Sequence, residues 1–126
     1  MKIEHIAFNV AKPVEMAKWY VKNFGMKIAR KMENAPYTHF LKDEGGMMVE
    51  IYNNPPEQVP DYGSMHPLLL HLAFTSADPD PDKAKLLAAG ATFVEEIRQN
   101  DGSYLVMLRD PWGLAIQLCK RGTPLQ

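Results

Sequence analysis

Two histidines, a glutamate and a glutamine carry most of the chemistry that this sequence offers. His5 stands in the stretch IEHIAFNV, and His71 stands in LLHLAFTS, a near-copy 66 residues later. Glu50 lies in MMVEIYN and Gln117 in LAIQLC, 67 residues apart. Two imidazoles, a carboxylate and an amide oxygen suit a divalent transition metal such as Zn, Ni, Co or Fe(II), with positions left open for water or substrate. One histidine on a half-exposed strand is usually just a satisfied polar residue. Two matched pairs at repeat positions point instead to a metal site made of His5, Glu50, His71 and Gln117.

Strands must carry all four, because side chains in a strand alternate between its two faces. In IEHIAFNV the His5 face also holds Ala7 and Asn9, while Ile6 and Phe8 point the other way. In LLHLAFTS the His71 face holds Ala73 and Thr75, against Leu72 and Phe74. Glu50 shares its face with Met48 and Tyr52, and Gln117 shares its face with Ala115. Each sheet therefore has one face for a helix and one for a cavity. Asn9 and Tyr52, on the cavity face, are the expected substrate contacts. His39 and His66 are off these positions and read as solvated or capping residues.

The remaining elements repeat in order. KPVEMAKWYVKNFGM reads as a helix with Pro13 in its first turn, Gly25 at its end, and Val14, Ala17, Val21 and Phe24 at helical spacing. KIARKMEN, THFLKD and MMVEIYN read as strands, with DEGG (43–46) as a turn. Residues 53–67 hold four prolines and form the linker. The second half repeats the pattern. LLLHLAFTS is a strand, and DPDKAKLLAAGA is a helix capped by Asp80, with Pro81 in its first turn and Gly90 at its stop. TFVEEIRQ, SYLVMLRD and LAIQLC follow as strands, the last two joined by the type I turn DPWG (110–113). Tyr37, Leu41, Asp43 and Gly46 fall on Tyr104, Leu108, Asp110 and Gly113 at the same offset of 67. The reading is one α+β domain over residues 1–126. It consists of two tandem βαβββ modules, 1–54 and 67–122, paired about a pseudo-twofold axis.

Composition narrows the function classes. The chain has 126 residues, 46% apolar and 23% charged, with a net charge of −1, so nothing in it attracts nucleic acid or an acidic membrane. No apolar run is long enough to span a membrane or to serve as a signal segment. The single cysteine, Cys119, reads as structural, and a cytoplasmic location is expected.

The stretches HIAFNV, WYVKNFGMKIAR, MMVEIY, LLHLAF and RDPWGLAIQL resemble the vicinal oxygen chelate superfamily of glyoxalase I, bleomycin resistance proteins and extradiol dioxygenases. The resemblance implies paired βαβββ modules whose metal ligands come from the first and last strand of each, the positions of His5, Glu50, His71 and Gln117. It implies a metal-dependent lyase or isomerase resembling glyoxalase I. In it the metal acts as a Lewis acid on neighbouring substrate oxygens and stabilises an enediolate, while Glu50 moves the proton. The alternatives are an Fe(II) dioxygenase using His5, His71 and Glu50, and a non-catalytic small-molecule binding protein of the bleomycin-resistance type. Two positions depart from bacterial glyoxalase I: Gln117 replaces a glutamate, and Asn9 replaces an arginine that helps hold glutathione. A homodimer is expected, with the metal site either within one chain or shared between two.

Overall fold

The computed structural model describes residues 1–125. The chain divides into two compact units, Met1–Pro60 and a second from Asp61 onward. The first contains β1 (His5–Asn9), α1 (Pro13–Phe24), β2 (Lys27–Lys31), β3 (His39–Lys42) and β4 (Met48–Tyr52). The second contains β5 (Leu72–Thr75), α2 (Pro79–Ala88), β6 (Thr92–Arg98), β7 (Tyr104–Arg109) and β8 (Ala115–Lys120). One-turn 3₁₀ helices at Pro56–Gln58 and Tyr62–Ser64 interrupt the connection between them.

The two sheets have the same construction, β1-β4-β3-β2 and β5-β8-β7-β6. In each, the first strand runs parallel to the last, and the other pairings are antiparallel. The duplication extends to a defect in pairing: the register shifts between Ile28 and Arg30 in one unit and between Phe93 and Glu95 in the other. The expected α+β architecture of two β-α-β-β-β units is present.

In the first unit α1 packs on β2, β3 and β4. Phe8, Leu41, Val49 and Ile51 are buried there, as period-2 alternation requires. The buried stripe of α1 is Pro13, Met16, Ala17 and Tyr20, whereas Val21 is exposed. The sequence-based stripe of Val14, Ala17, Val21 and Phe24 is thus rotated, because Met and Tyr supply more apolar area than Val and take the inner positions. The helix ends at Gly25 with φ +67°, the left-handed residue expected there.

The second helix starts earlier than the sequence suggested. Pro79, not Pro81, is its first residue and Asp78, not Asp80, its N-cap. The first N–H groups of a helix have no partner within it, so two prolines fit in one opening turn. Asp80 accepts instead from the Tyr104 hydroxyl at 2.7 Å, and Glu96 stands 2.8 Å from the same oxygen, tying α2 to β6 and β7. These carboxylates hold the phenol well above its usual range.

The DPWG turn closes β7 on β8, with Gly113 N–H donating to Asp110 O at 3.0 Å and Asp110 Oδ1 accepting from Trp112 and Leu114. Gly113 has φ +92°, and a Cβ on it would lie 2.6 Å from Gly63 N. Gly46, in the matching turn, has φ +94° with open space around it. We expect Gly46→Ala to cost about 1 kcal/mol, from backbone strain alone. Gly113→Ala should cost about 2 kcal/mol or more, because a second backbone must move as well. Urea unfolding of the two variants checks the order, and equal losses would contradict it.

Candidate metal centre

The parallel pairing of β1 with β4 sets the geometry of the candidate ligands in the first unit. His5 lies opposite Met48 and Ala7 opposite Glu50, so His5, Ala7, Asn9, Met48, Glu50 and Tyr52 share one face. His5 Nε2 stands 3.6 Å from Glu50 Oε1, and both side chains keep access to solvent, at 32% and 18% exposure. Two donors bound to one ion at about 2.1 Å each stand about 3–3.5 Å apart, so this spacing is close to that of two ligands in one shell. The His5 ring is braced on two sides. Its Nδ1 lies 2.8 Å from Glu4 Oε1, and its edge meets the Phe40 ring at 5.4 Å and 88°.

In the second unit the candidate ligands belong to β5 and β8, where Ala73 pairs with Gln117. His71 sits one residue before β5, outside the strand, although the sequence reading placed it within one. Residues 66–69 turn instead, with Leu69 N–H donating to His66 O at 2.9 Å. His71 Nδ1 donates to Pro67 O at 2.9 Å, since a carbonyl oxygen can only accept. His5 Nδ1 is likewise engaged, by the Glu4 carboxylate, so in both imidazoles Nε2 is the nitrogen left for a ligand, and each ring has the kind of outer partner that orients metal-bound histidines.

The other candidates are placed as follows. Gln117 is half-buried, and its Oε1 accepts from Cys119 Sγ at 3.2 Å. Tyr52 is half-buried on the Glu50 face. The Asn9 amide clasps the chain after β4: Nδ2 donates to Pro55 O at 2.8 Å, and Oδ1 accepts from Asn54 N at 2.8 Å. His39 is buried rather than solvated, with Nδ1 2.7 Å from Tyr37 O. Phe40 was not singled out from the sequence, although its parity, opposite to that of buried Leu41, places it on the His5 face. Within neither unit do three His, Cys, Asp or Glu side chains gather to hold a metal, among the described residues. Each unit contains one of the candidate imidazoles and one of the candidate oxygen donors.

The sequence model of the Glyoxalase/Bleomycin resistance protein/Dioxygenase superfamily matches residues 2–118. The chain belongs to this superfamily. Among solved structures, a glyoxalase family protein from Enterococcus faecalis is 25% identical with a TM-score of 0.72, covering 94% of this chain and 97% of that one. The antibiotic binding protein TnmS3 from Streptomyces sp. CB03234 is 18% identical with a TM-score of 0.73, covering 96% of each chain. A glyoxalase I mutant from Zea mays is 23% identical with a TM-score of 0.72, covering 95% of this chain and 45% of its own. The last two likenesses establish the superfamily fold alone. No curated protein matches the chain. No helix among the described residues is long and apolar enough to cross a membrane.

One thiol lies against Gln117 on β8. Cys119 is buried, and desolvation pushes its thiol up, with Arg121 opposing weakly. Thiolate is the reactive form, so both access and ionisation slow attack. Iodoacetamide should alkylate native Cys119 at least tenfold more slowly than the urea-unfolded chain at the same pH, read by mass spectrometry; equal rates would contradict this burial.

Proposed function

We propose that this protein is a metal-dependent lyase or isomerase resembling glyoxalase I, acting on a small molecule with two neighbouring oxygens. The observation that carries the reading is the matched setting of the two histidines. Each Nδ1 is engaged by an outer partner, and His5 Nε2 stands 3.6 Å from Glu50 Oε1. His5, Glu50, His71 and Gln117 would hold a divalent ion of the Zn, Ni, Co or Fe class. When bound, the ion supplies Lewis acidity toward the two substrate oxygens.

The chain's own residues do the rest. Glu50 is the only carboxylate of the set, and its Oε1 takes a proton from the carbon beside a carbonyl and returns it to the neighbouring carbon. Tyr52, two residues further along the same face, contacts the substrate, and Asn9 acts on the substrate side through the turn it clasps. Each sheet has edge strands, and we infer a homodimer, in the cytoplasm, in which the two modules contributing to a site pair about a twofold axis. A second reading, a non-catalytic binder of small molecules, has one observation in its favour: Gln117 Oε1 already accepts the Cys119 thiol.

Metal analysis of protein purified without added metal separates these readings. A stoichiometric Zn, Ni or Co content supports the lyase, tightly held iron assigns a dioxygenase, and a protein that takes up no metal is a binding module. In the lyase, Glu50→Gln should lower turnover about 10²–10⁴-fold even at saturating metal. Full activity in that variant would assign the proton transfer to another base. Mixing His5→Ala with His71→Ala subunits then locates the site. Activity that partly returns means ligands shared across the dimer, and none means both halves come from one chain.

A further inference from the structure

A histidine that the metal chemistry does not use closes the turn leading into β5. The turn runs from His66 to Leu69, with Leu69 N–H donating to His66 O at 2.9 Å. Inside it, one peptide group is clamped by two imidazoles. His66 Nδ1 accepts the N–H of Leu68 at 3.1 Å. His71 Nδ1 donates to Pro67 O at 2.9 Å. The Pro67 carbonyl and the Leu68 N–H are the two ends of the same planar unit, so the rings hold its plane from opposite sides. Little else supports it. Leu68 and Leu69 stand 71% and 74% exposed, so the turn gains little from apolar burial.

The two rings respond differently to a proton. A neutral imidazole has one N–H and one bare nitrogen, whereas an imidazolium has an N–H at both. A donating Nδ1 exists in either state, so the His71 bond survives protonation. An accepting Nδ1 exists in the neutral form alone, so the Leu68 bond fixes His66 as neutral with its proton on Nε2. A second proton on His66 sets two N–H groups against each other and the bond is lost. His66 is exposed, and no carboxylate pairs with its ring among the described residues. The other charged or titratable groups around the turn are directed elsewhere. Arg109 of β7 donates through Nη2 to Met65 O at 2.7 Å, Asp61 Oδ1 lies back toward Gly63, and His71 is bonded to Pro67. None of them replaces the acceptor that Leu68 loses.

We propose that His66 is a proton-sensitive latch on the turn that carries Leu68 and Leu69 and leads into β5. On the alkaline side of its titration the latch is closed and the Pro67–Leu68 peptide is held at both ends. On the acid side the Leu68 N–H turns to water and the peptide swings on the one bond that His71 keeps. The sheet itself stays paired, because β5 joins β8 from Leu72 onward and its ladder uses no residue of the turn. Acid therefore loosens the approach to β5 and the exposed leucines without unfolding the unit. The latch is built from the turn alone and stands whether or not the chain binds a metal.

The test is NMR on the full-length ¹⁵N-labelled protein, with no metal added, from about pH 8 to about pH 5, the range in which histidine changes charge. Exchange of the Leu68 N–H with water is measured against that of an unstructured peptide at the same pH. Its protection should fall about threefold or more, as befits one hydrogen bond of modest strength. The midpoint should match the titration of the His66 ring protons, and the amides of β5 and β8 should stay protected throughout. His66→Asn supplies an oxygen acceptor that does not titrate, in the same turn geometry, and should keep Leu68 protected at both ends of the range. His66→Ala should leave it unprotected at both. A wild-type Leu68 amide equally protected across the range overturns the proposal, and this readout stands even if a variant fails to fold. Loss of protection in His66→Asn with the wild-type midpoint overturns it too, and assigns the effect to another group.

Discussion

Parallel pairing of the first strand of each unit with its last is the constraint from which the candidate site follows. The two strands are separated in sequence by a helix and two other strands, yet they lie side by side, β1 on β4 and β5 on β8. A parallel pair needs a long crossover, and the helix and the two intervening strands provide it. Because alternation is shared across paired strands, a residue at an odd position of β1 must face the same side as its partner on β4. That geometry puts His5 beside Glu50 without any contact having to be designed between them. The opposite face is free to bury Phe8, Val49 and Ile51. One hydrogen-bond pattern thus supplies both a hydrophobic layer and a polar face.

The repeat made much of this legible. The offset between His5 and His71 and between Glu50 and Gln117 carried the unit architecture, and parity carried the faces. What the sequence did not show was what each polar group is already bonded to. Asn9 has the right parity for a ligand contact, but its amide is tied to Pro55 and Asn54, a loop contact that periodicity does not encode. The helix stripe was misread because Val, Met and Tyr at neighbouring positions all count as apolar, and only packing decides which go inside. His71 was read as part of a strand, since LLLHLAF is uniformly apolar around it. The local turn at 66–69 that accepts its Nδ1 proton has no glycine to announce it.

Histidine orientation differs between the units. His5 is backed by the carboxylate of Glu4, and His71 by a neutral carbonyl. The two imidazoles that look equivalent in the repeat therefore rest on different outer partners. Duplicated modules diverge most easily in such outer contacts, where a change leaves the fold and the facing side chains intact.

The connection between the units is shorter in practice than its sequence suggests. Its first part is pinned to the first unit through Asn9, whose Nδ2 reaches Pro55 O and, at 3.4 Å, Gln58 O. Its last part is pinned to the second unit through Arg109, which holds Tyr62 O and Met65 O. Only Val59, Pro60 and Asp61 remain as tether. Three residues reach about 10 Å at full extension, and a proline among them removes one rotatable angle. Each end of the connection is thus ordered by its own unit, so residues inserted between Gln58 and Tyr62 should leave the hydrogen bonds of both sheets intact.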